Sequence, residues 1–217
     1  MPPVYVFDAY GTLFDVHSAA SKYRDEIGPA WDRMSQIWRA KHIEYTWFHV
    51  ISQRHSSFWL LAERSLAFAA DSVGGVSPHT CAKLLAAYRR LSAYPEVPAM
   101  LDRLKATGAK TAILTNGDPD MIADAVTSAG LTGRFDHIIT VHEAGVFKPD
   151  QRVYRLVTDC FACAPTDVSF QSSNRWDIAG AKVAGFHTVW INRTGAPDEY
   201  PDAAADQTFG DLSRLAG

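Results

Sequence analysis

Short apolar runs at residues 4–7, 111–115, 137–141, 168–171 and 187–191 punctuate the chain, and polar or glycine-containing segments follow them. Runs of this length, rich in Val, Ile, Thr and Phe, predict buried β-strands. Before and between the last four, apolar residues recur at helical spacing. One such segment starts at Pro98 and stops at Gly108. The next has Asp118 as N-cap, Pro119 at the first helical position and Gly130 as a left-handed stop. Another begins near Asp150, and another runs from about Trp176 to Gly185. Strands alternating with helices predict an α/β fold, a Rossmann-like parallel sheet covered on both faces.

Residues 15–94 break this alternation. Trp31, Met34, Trp38, Tyr45 and Phe48 recur at helical spacing, and Phe58, Leu61, Ala62, Leu66, Ala69 and Val73 do so again. Leu84, Leu85, Tyr88 and Leu91 suggest a third helix. This predicts a helical cap, 15–94, inserted into a core built from 1–14 and 95–217. The twice-punctuated Tyr94-Pro95-Glu96-Val97-Pro98 is the expected return hinge.

Composition narrows the partners. A net charge of −3 and the lack of a Lys/Arg run give no support to nucleic acid or an anionic membrane as partner. No apolar stretch approaches the ~20 residues that span a bilayer. The Met1-Pro2-Pro3 start carries no leader signal, so a cytoplasmic protein is expected. The odd set Cys81, Cys160 and Cys163 fits a reducing compartment. Cys160 and Cys163 form a C-x-x-C near the end of a helical pattern rather than its start, with no second ligand pair, so both are expected to be structural.

In open parallel sheets, ligands bind beyond the carboxyl ends of the strands. That edge collects Asp8, Tyr10 and Thr12; then Thr115, Asn116 and Gly117; then the 145–149 loop with Lys148; then Ser172, Ser173, Asn174 and Asp177. Taken singly, Thr115-Asn116-Gly117-Asp118 reads as a turn and cap, Lys148 as a solvated loop lysine, and Ser172 to Asn174 as a loop. Asp8 differs, because a buried strand delivers it into a glycine turn, a good setting for a nucleophile. The convergence of four segments is the stronger signal.

These segments resemble the motifs of the haloacid dehalogenase superfamily, and within it the L-2-haloacid dehalogenases. The pieces that carry the resemblance are the 7–14 segment Phe-Asp-Ala-Tyr-Gly-Thr-Leu-Phe, Trp38-Arg39 with Lys41, Tyr45 and Trp47, Leu114-Thr115-Asn116-Gly117, Phe147-Lys148-Pro149 with Tyr154, and Ser172-Ser173-Asn174 with Trp176-Asp177. Two positions depart from the family pattern. Thr115 stands where Ser is usual, and Ala40 where Gln is common; both bear on substrate range more than on reaction type.

The resemblance implies hydrolytic dehalogenation of L-2-haloalkanoic acids to D-2-hydroxy acids through an ester on Asp8. Lys148 would offset the repulsion between nucleophile and anionic substrate. Asp177 would orient Lys148 or help activate water. Thr12, Thr115, Ser172 and Asn174 would supply donors. Arg39, assisted by Asn116, would take the halide, and Tyr10, Phe58, Trp59 and Trp176 would line the pocket. Tyr154 is also expected among the substrate-binding residues. A superfamily phosphatase would need a second Asp where Tyr10 stands, together with magnesium. No metal and no cofactor are therefore expected. The alternatives are a phosphatase of the same superfamily, a carboxylate hydrolase that opens a strained ring, and a catalytically silent binding module. The partners implied are a haloacid and a halide ion. The aromatic-rich cap is compatible with a homodimer, and equally with burial inside one chain.

Overall fold

The computed structural model describes residues 4–215. Met1, Pro2 and Pro3, on which the leaderless reading rests, lie outside them. Six parallel strands are present: β1 (Val4–Phe7), β2 (Lys110–Thr115), β3 (His137–Thr140), β4 (Val168–Ser172), β5 (His187–Ile191) and β6 (Gln207–Phe209). Their order is β3-β2-β1-β4-β5-β6. The chain moves outward from β1 to β2 and β3, then crosses back to place β4 on the other flank of β1. The strand order thus switches at β1 and β4, where this fold class binds ligands. Val6, Phe7, Ile113, Leu114 and Phe170 are wholly buried, as expected for strands covered on both faces. The edge strand β6 was not expected. It has only three residues, two of them exposed, too short a run for alternation to register.

Four helices cover the sheet: α6 (Val97–Ala106), α7 (Pro119–Ser128), α8 (Gln151–Phe161) and α9 (Arg175–Val183) in chain order after the insert. The insert itself contributes α1 (Ser18–Lys22), α2 (Arg24–Ile27), α3 (Trp31–Ile51), α4 (Phe58–Ser72) and α5 (Pro78–Tyr88). The first two span five and four residues, too few to show a helical period. Phe48 departs from the expected apolar stripe of α3, being 54% exposed. The outgoing and returning chains run side by side. Phe14 bridges Ala93, the Asp15 N–H donates to the Ser92 carbonyl at 2.9 Å, and the Tyr94 N–H donates to that of Leu13 at 3.0 Å.

Asp118 is at the N-cap position of α7, yet its side chain does not cap that helix. Its oxygens instead accept from the Phe58 N–H at 3.0 Å and the Trp59 N–H at 2.8 Å, the free donors at the start of α4. A carboxylate there also complements the helix dipole. Arg89, just past α5, pairs with Asp120 at 2.7 Å and Asp124 at 2.8 Å on α7. The insert is therefore fastened to the sheet layer at α7 by three carboxylates.

Among the described residues, no helix is long and apolar enough to cross a membrane. Burial and nearby carboxylates raise the pKa of Cys160 and Cys163, opposite to the lowering that a redox pair uses.

Candidate active site

β1 ends by handing Asp8 to the sheet edge, where its N–H still donates to the Gln171 carbonyl of β4 at 2.9 Å. The chain then turns sharply, with the Gly11 N–H donating to the Phe14 carbonyl at 2.8 Å. Gly11 adopts φ +95°, a conformation side-chain-bearing residues avoid. The turn folds Thr12 back so that its hydroxyl donates to Asp8 Oδ2 at 3.0 Å.

Two further donors reach the same oxygen from the segment after β4. Asn174 Nδ2 lies 2.7 Å from Oδ2 and the Ser172 hydroxyl 3.3 Å. On the other side, Lys148 Nζ donates to Oδ1 at 3.2 Å. Asp8 therefore has one oxygen with three neutral donors and one with a single cationic donor.

Lys148 is buried, with Nζ between Asp8 and Asp177, 2.8 Å from Asp177 Oδ2. Burial works against its ammonium, but the two carboxylates more than offset that and hold its pKa above the ordinary lysine value. Burial pushes Asp177 up to about 6, with Lys148 pulling against it. Asp177 Oδ1 accepts from the Tyr154 hydroxyl at 2.7 Å. The loop that carries Lys148 is tied to β2, since its backbone N–H donates to Asn116 Oδ1 at 2.9 Å. The Asn116 amide N–H groups are left for the cavity.

Arg39 reaches this edge from α3. Its Nη2 donates to the Tyr10 carbonyl at 2.8 Å and to Asn174 Oδ1 at 3.0 Å. Asp8, Tyr10, Arg39, Asn116, Asn174 and Trp176 line a narrow recess at the sheet edge. Ile43, Thr46 and Phe58 complete the wall.

Three expected positions are revised. Tyr154 does not border the cavity; it is buried behind Asp177 and holds that carboxylate. Thr115 is also one layer back, its hydroxyl accepting from the Gly117 N–H at 3.0 Å. Trp59 turns away from the site because its ring packs under the Arg89 guanidinium, 4.5 Å from the centroid. Ile43 and Thr46 were missed, although they follow Arg39 at i+4 and i+7 on one helical face. His42 and Tyr88 were missed as well. Both are buried behind the cavity wall, His42 stacked on Phe58 and Tyr88 on Tyr10.

Residues 3–185 match the family model of haloacid dehalogenase-like hydrolases. The chain is 42% identical over 211 residues to (S)-2-haloacid dehalogenase 1 of Pseudomonas sp. (strain CBS-3), covering 97% of this chain and 93% of that protein. It superposes on the crystal structure of a dehalogenase with TM-score 0.96 at 37% identity, covering 99% of this chain and 95% of the other. The L-2-haloacid dehalogenase from Xanthobacter autotrophicus, solved with chloropropionic acid covalently bound, superposes with TM-score 0.88 at 33% identity, covering 100% of this chain and 97% of that one. Sheet order, inserted helices and a whole-length match thus agree: the chain belongs to the haloacid dehalogenase-like hydrolases.

Proposed function

We propose that the protein is an (S)-2-haloacid dehalogenase, hydrolysing L-2-haloalkanoic acids to D-2-hydroxy acids and halide. The observation that carries this reading is the two-sided setting of Asp8, three neutral donors on Oδ2 and a lysine on Oδ1, facing a small cavity closed by Arg39. The whole-length relatives named (S)-2-haloacid dehalogenase support it.

With three donors on Oδ2 and one on Oδ1, Oδ1 is the oxygen with lone-pair capacity left for attack. Its lone pair attacks C2 in line, the carbon–halogen bond breaks, and halide leaves with the bonding pair. Configuration at C2 inverts. Arg39 and the Asn116 amide receive the halide. Lys148 reduces the repulsion between Asp8 and the substrate carboxylate, which at ~4 Å and an effective dielectric near 20 amounts to about 4 kcal/mol. Water then attacks the Asp8 carbonyl carbon. Negative charge develops on Oδ2, where Thr12, Ser172 and Asn174 already point. Collapse breaks the Cγ–Oδ1 bond and releases the product with Oδ1 as its hydroxyl oxygen. Turnover releases one proton with each halide.

Asp177 has both oxygens occupied, and we assign it to holding Lys148, with Tyr154 fixing it from behind. Tyr10 and Trp176 shape the substrate pocket. The donor set supports metal independence, since the place between Asp8 and Asp177 is filled by an ammonium rather than by further oxygen ligands. The three free thiols suit a reducing compartment, and we assign the protein to the cytoplasm. Phe48 and Phe68, exposed on α3 and α4, support pairing of two copies through the insert, which sedimentation would measure. We retain 15–94 as a cap unit because its chain leaves and returns at one place.

The deciding experiment measures halide release from (S)-2-chloropropionate with EDTA present, followed by single turnover in ¹⁸O-water. Chloride release with label first entering Asp8 is expected. No release from any haloacid would sink the reading, and label appearing first in the product would sink the ester.

A further inference from the structure

We propose that Arg193 is a positioning residue for Thr12 and through it speeds hydrolysis of the Asp8 ester, the second chemical step, selectively; the inference rests on the dehalogenase reading above. Arg193 follows β5 by two residues and does not line the recess. Its turn is fixed by Asn192, whose side chain accepts from the Ala196 N–H and donates to the Ala196 carbonyl, both at 2.9 Å.

Thr12 is wholly buried, and among the described residues no backbone N–H reaches its carbonyl. A buried carbonyl needs a donor. Arg193 Nη2 supplies one at 3.0 Å, from 181 positions along the chain. The other N–H on Nη2 goes to Glu96 Oε1 at 2.7 Å. The guanidinium also lies over the Tyr94 ring, 3.5 Å from its centroid. Tyr94 and Glu96 belong to the return hinge, where the Tyr94 N–H donates to the Leu13 carbonyl at 3.0 Å. Arg193 therefore anchors the turn after Asp8 to the place where the inserted helices rejoin the core.

That anchor sets where the Thr12 hydroxyl points. The hydroxyl accepts from the Ser173 N–H at 2.8 Å and donates to Asp8 Oδ2 at 3.0 Å. The two chemical steps use the second bond in opposite senses. As Oδ1 attacks C2, charge leaves the carboxylate, so a donor on Oδ2 binds the starting state better than the transition state. In hydrolysis the water oxygen bonds to Cγ and the carbonyl π pair moves onto Oδ2, so the same donor strengthens as charge develops. When that pair returns, the Cγ–Oδ1 bond breaks, one water proton completes the product hydroxyl and the other leaves the regenerated Asp8 carboxyl. Ser172, Asn174 and Lys148 hold Asp8 independently of Thr12. Displacing Thr12 thus slows the second step and spares the first.

The test measures the ratio of ester-bearing to free enzyme at saturating (S)-2-chloropropionate, by quenched-flow mass spectrometry, together with kcat/KM from chloride release. The ratio compares ester formation with ester hydrolysis whichever step limits turnover, and kcat/KM reports only the steps up to ester formation. Arg193→Met is expected to raise the ratio about tenfold while kcat/KM stays within about threefold of wild type. Thr12→Val deletes the donor itself and should raise the ratio about 10²-fold. Arg193→Met added to Thr12→Val should then raise it less than about twofold further, because the residue it acts through is already gone. Arg193→Lys keeps a charged donor and should restore part of the loss. Should Arg193→Met not fold, Glu96→Gln stands in, shifting the ratio the same way by less. A ratio unchanged in the folded variants, or effects of Arg193→Met and Thr12→Val that multiply in full, overturns the proposal. Wild-type protein that releases no halide refutes the dehalogenase reading instead.

Discussion

Replacing Lys148 by Met tests the charge balance of the site most directly. Lys148 Nζ lies 3.2 Å from Asp8 and 2.8 Å from Asp177. At an effective dielectric near 20 these distances correspond to attractions of about 5 and about 6 kcal/mol. Without the ammonium, two buried carboxylates face each other, and the pair retains a proton that wild type does not hold. The variant loses twice: Asp8 is less often ionised, and the substrate anion approaches it without a compensating cation. The attraction to Asp8 alone bounds the effect at slightly under four decades. We expect kcat/KM for (S)-2-chloropropionate to fall by about 10³-fold. The pH profile changes shape too. Because the shared proton must leave before Asp8 attacks, activity of the variant keeps rising through neutral pH, where wild type is level. The assay is continuous proton release in lightly buffered solution, checked against chloride. A variant within tenfold of wild type, with an unaltered pH profile, would refute the assignment of Lys148.

Wild-type activity should fall as pH drops through about 6, because the Asp177 carboxyl, raised to about 6 by burial, then takes a proton and loosens its hold on Lys148; a rate level down to pH 4.5 would contradict this. Asp118→Ala removes the acceptors of two N–H groups at the start of α4. At about 1 kcal/mol for a lost cap, Tm should fall by roughly 2–4 °C in a chain this long, measured by calorimetry. A Cβ at Gly117 would sit 2.7 Å from Tyr10 Cε2, so Gly117→Ala must displace that wall. A loss of at least ~10-fold in kcat/KM is expected, with a smaller change in Tm.

The strands that position Asp8, Thr115 and Ser172 were legible because each is a short buried run ending in polar residues. The joint placement of Asp8, Lys148 and Asp177 was legible from the strand ends, whereas Arg39 was reached only through the resemblance to the dehalogenase motifs. What escaped depends on three-dimensional choices between equivalent local options. Asp118 has the sequence of a cap for its own helix, but two unpaired N–H groups on α4 lie within reach and take both its oxygens. Tyr154 belongs to the motif set, and nothing in its neighbours distinguishes a residue that touches substrate from one that braces Asp177. Trp59 and Phe58 are adjacent aromatics at the start of a helix; only the position of Arg89 decides which one faces the cavity. His42 is a lone histidine on an apolar helix face, and its partners, Phe58 and Tyr88, arrive from two other helices.

The donors of Asp8 also have a temporal order. The first of its partners, Thr12, is four positions away, but Ser172 is 164 and Asn174 is 166 positions further along the chain. At synthesis rates of ~5–20 residues per second, roughly 8–30 s separate the emergence of the nucleophile from that of its neighbours. Throughout that interval β1, the strand destined for the middle of the sheet, has no β4 to pair with. The inserted helices, translated in between, are the first apolar surfaces available to shield it. A nascent or truncated chain that stops before residue 172 carries the carboxylate but none of Ser172, Asn174 and Asp177, and so ribosome-bound chains are expected to be inert toward haloacids until residues 172–177 have emerged.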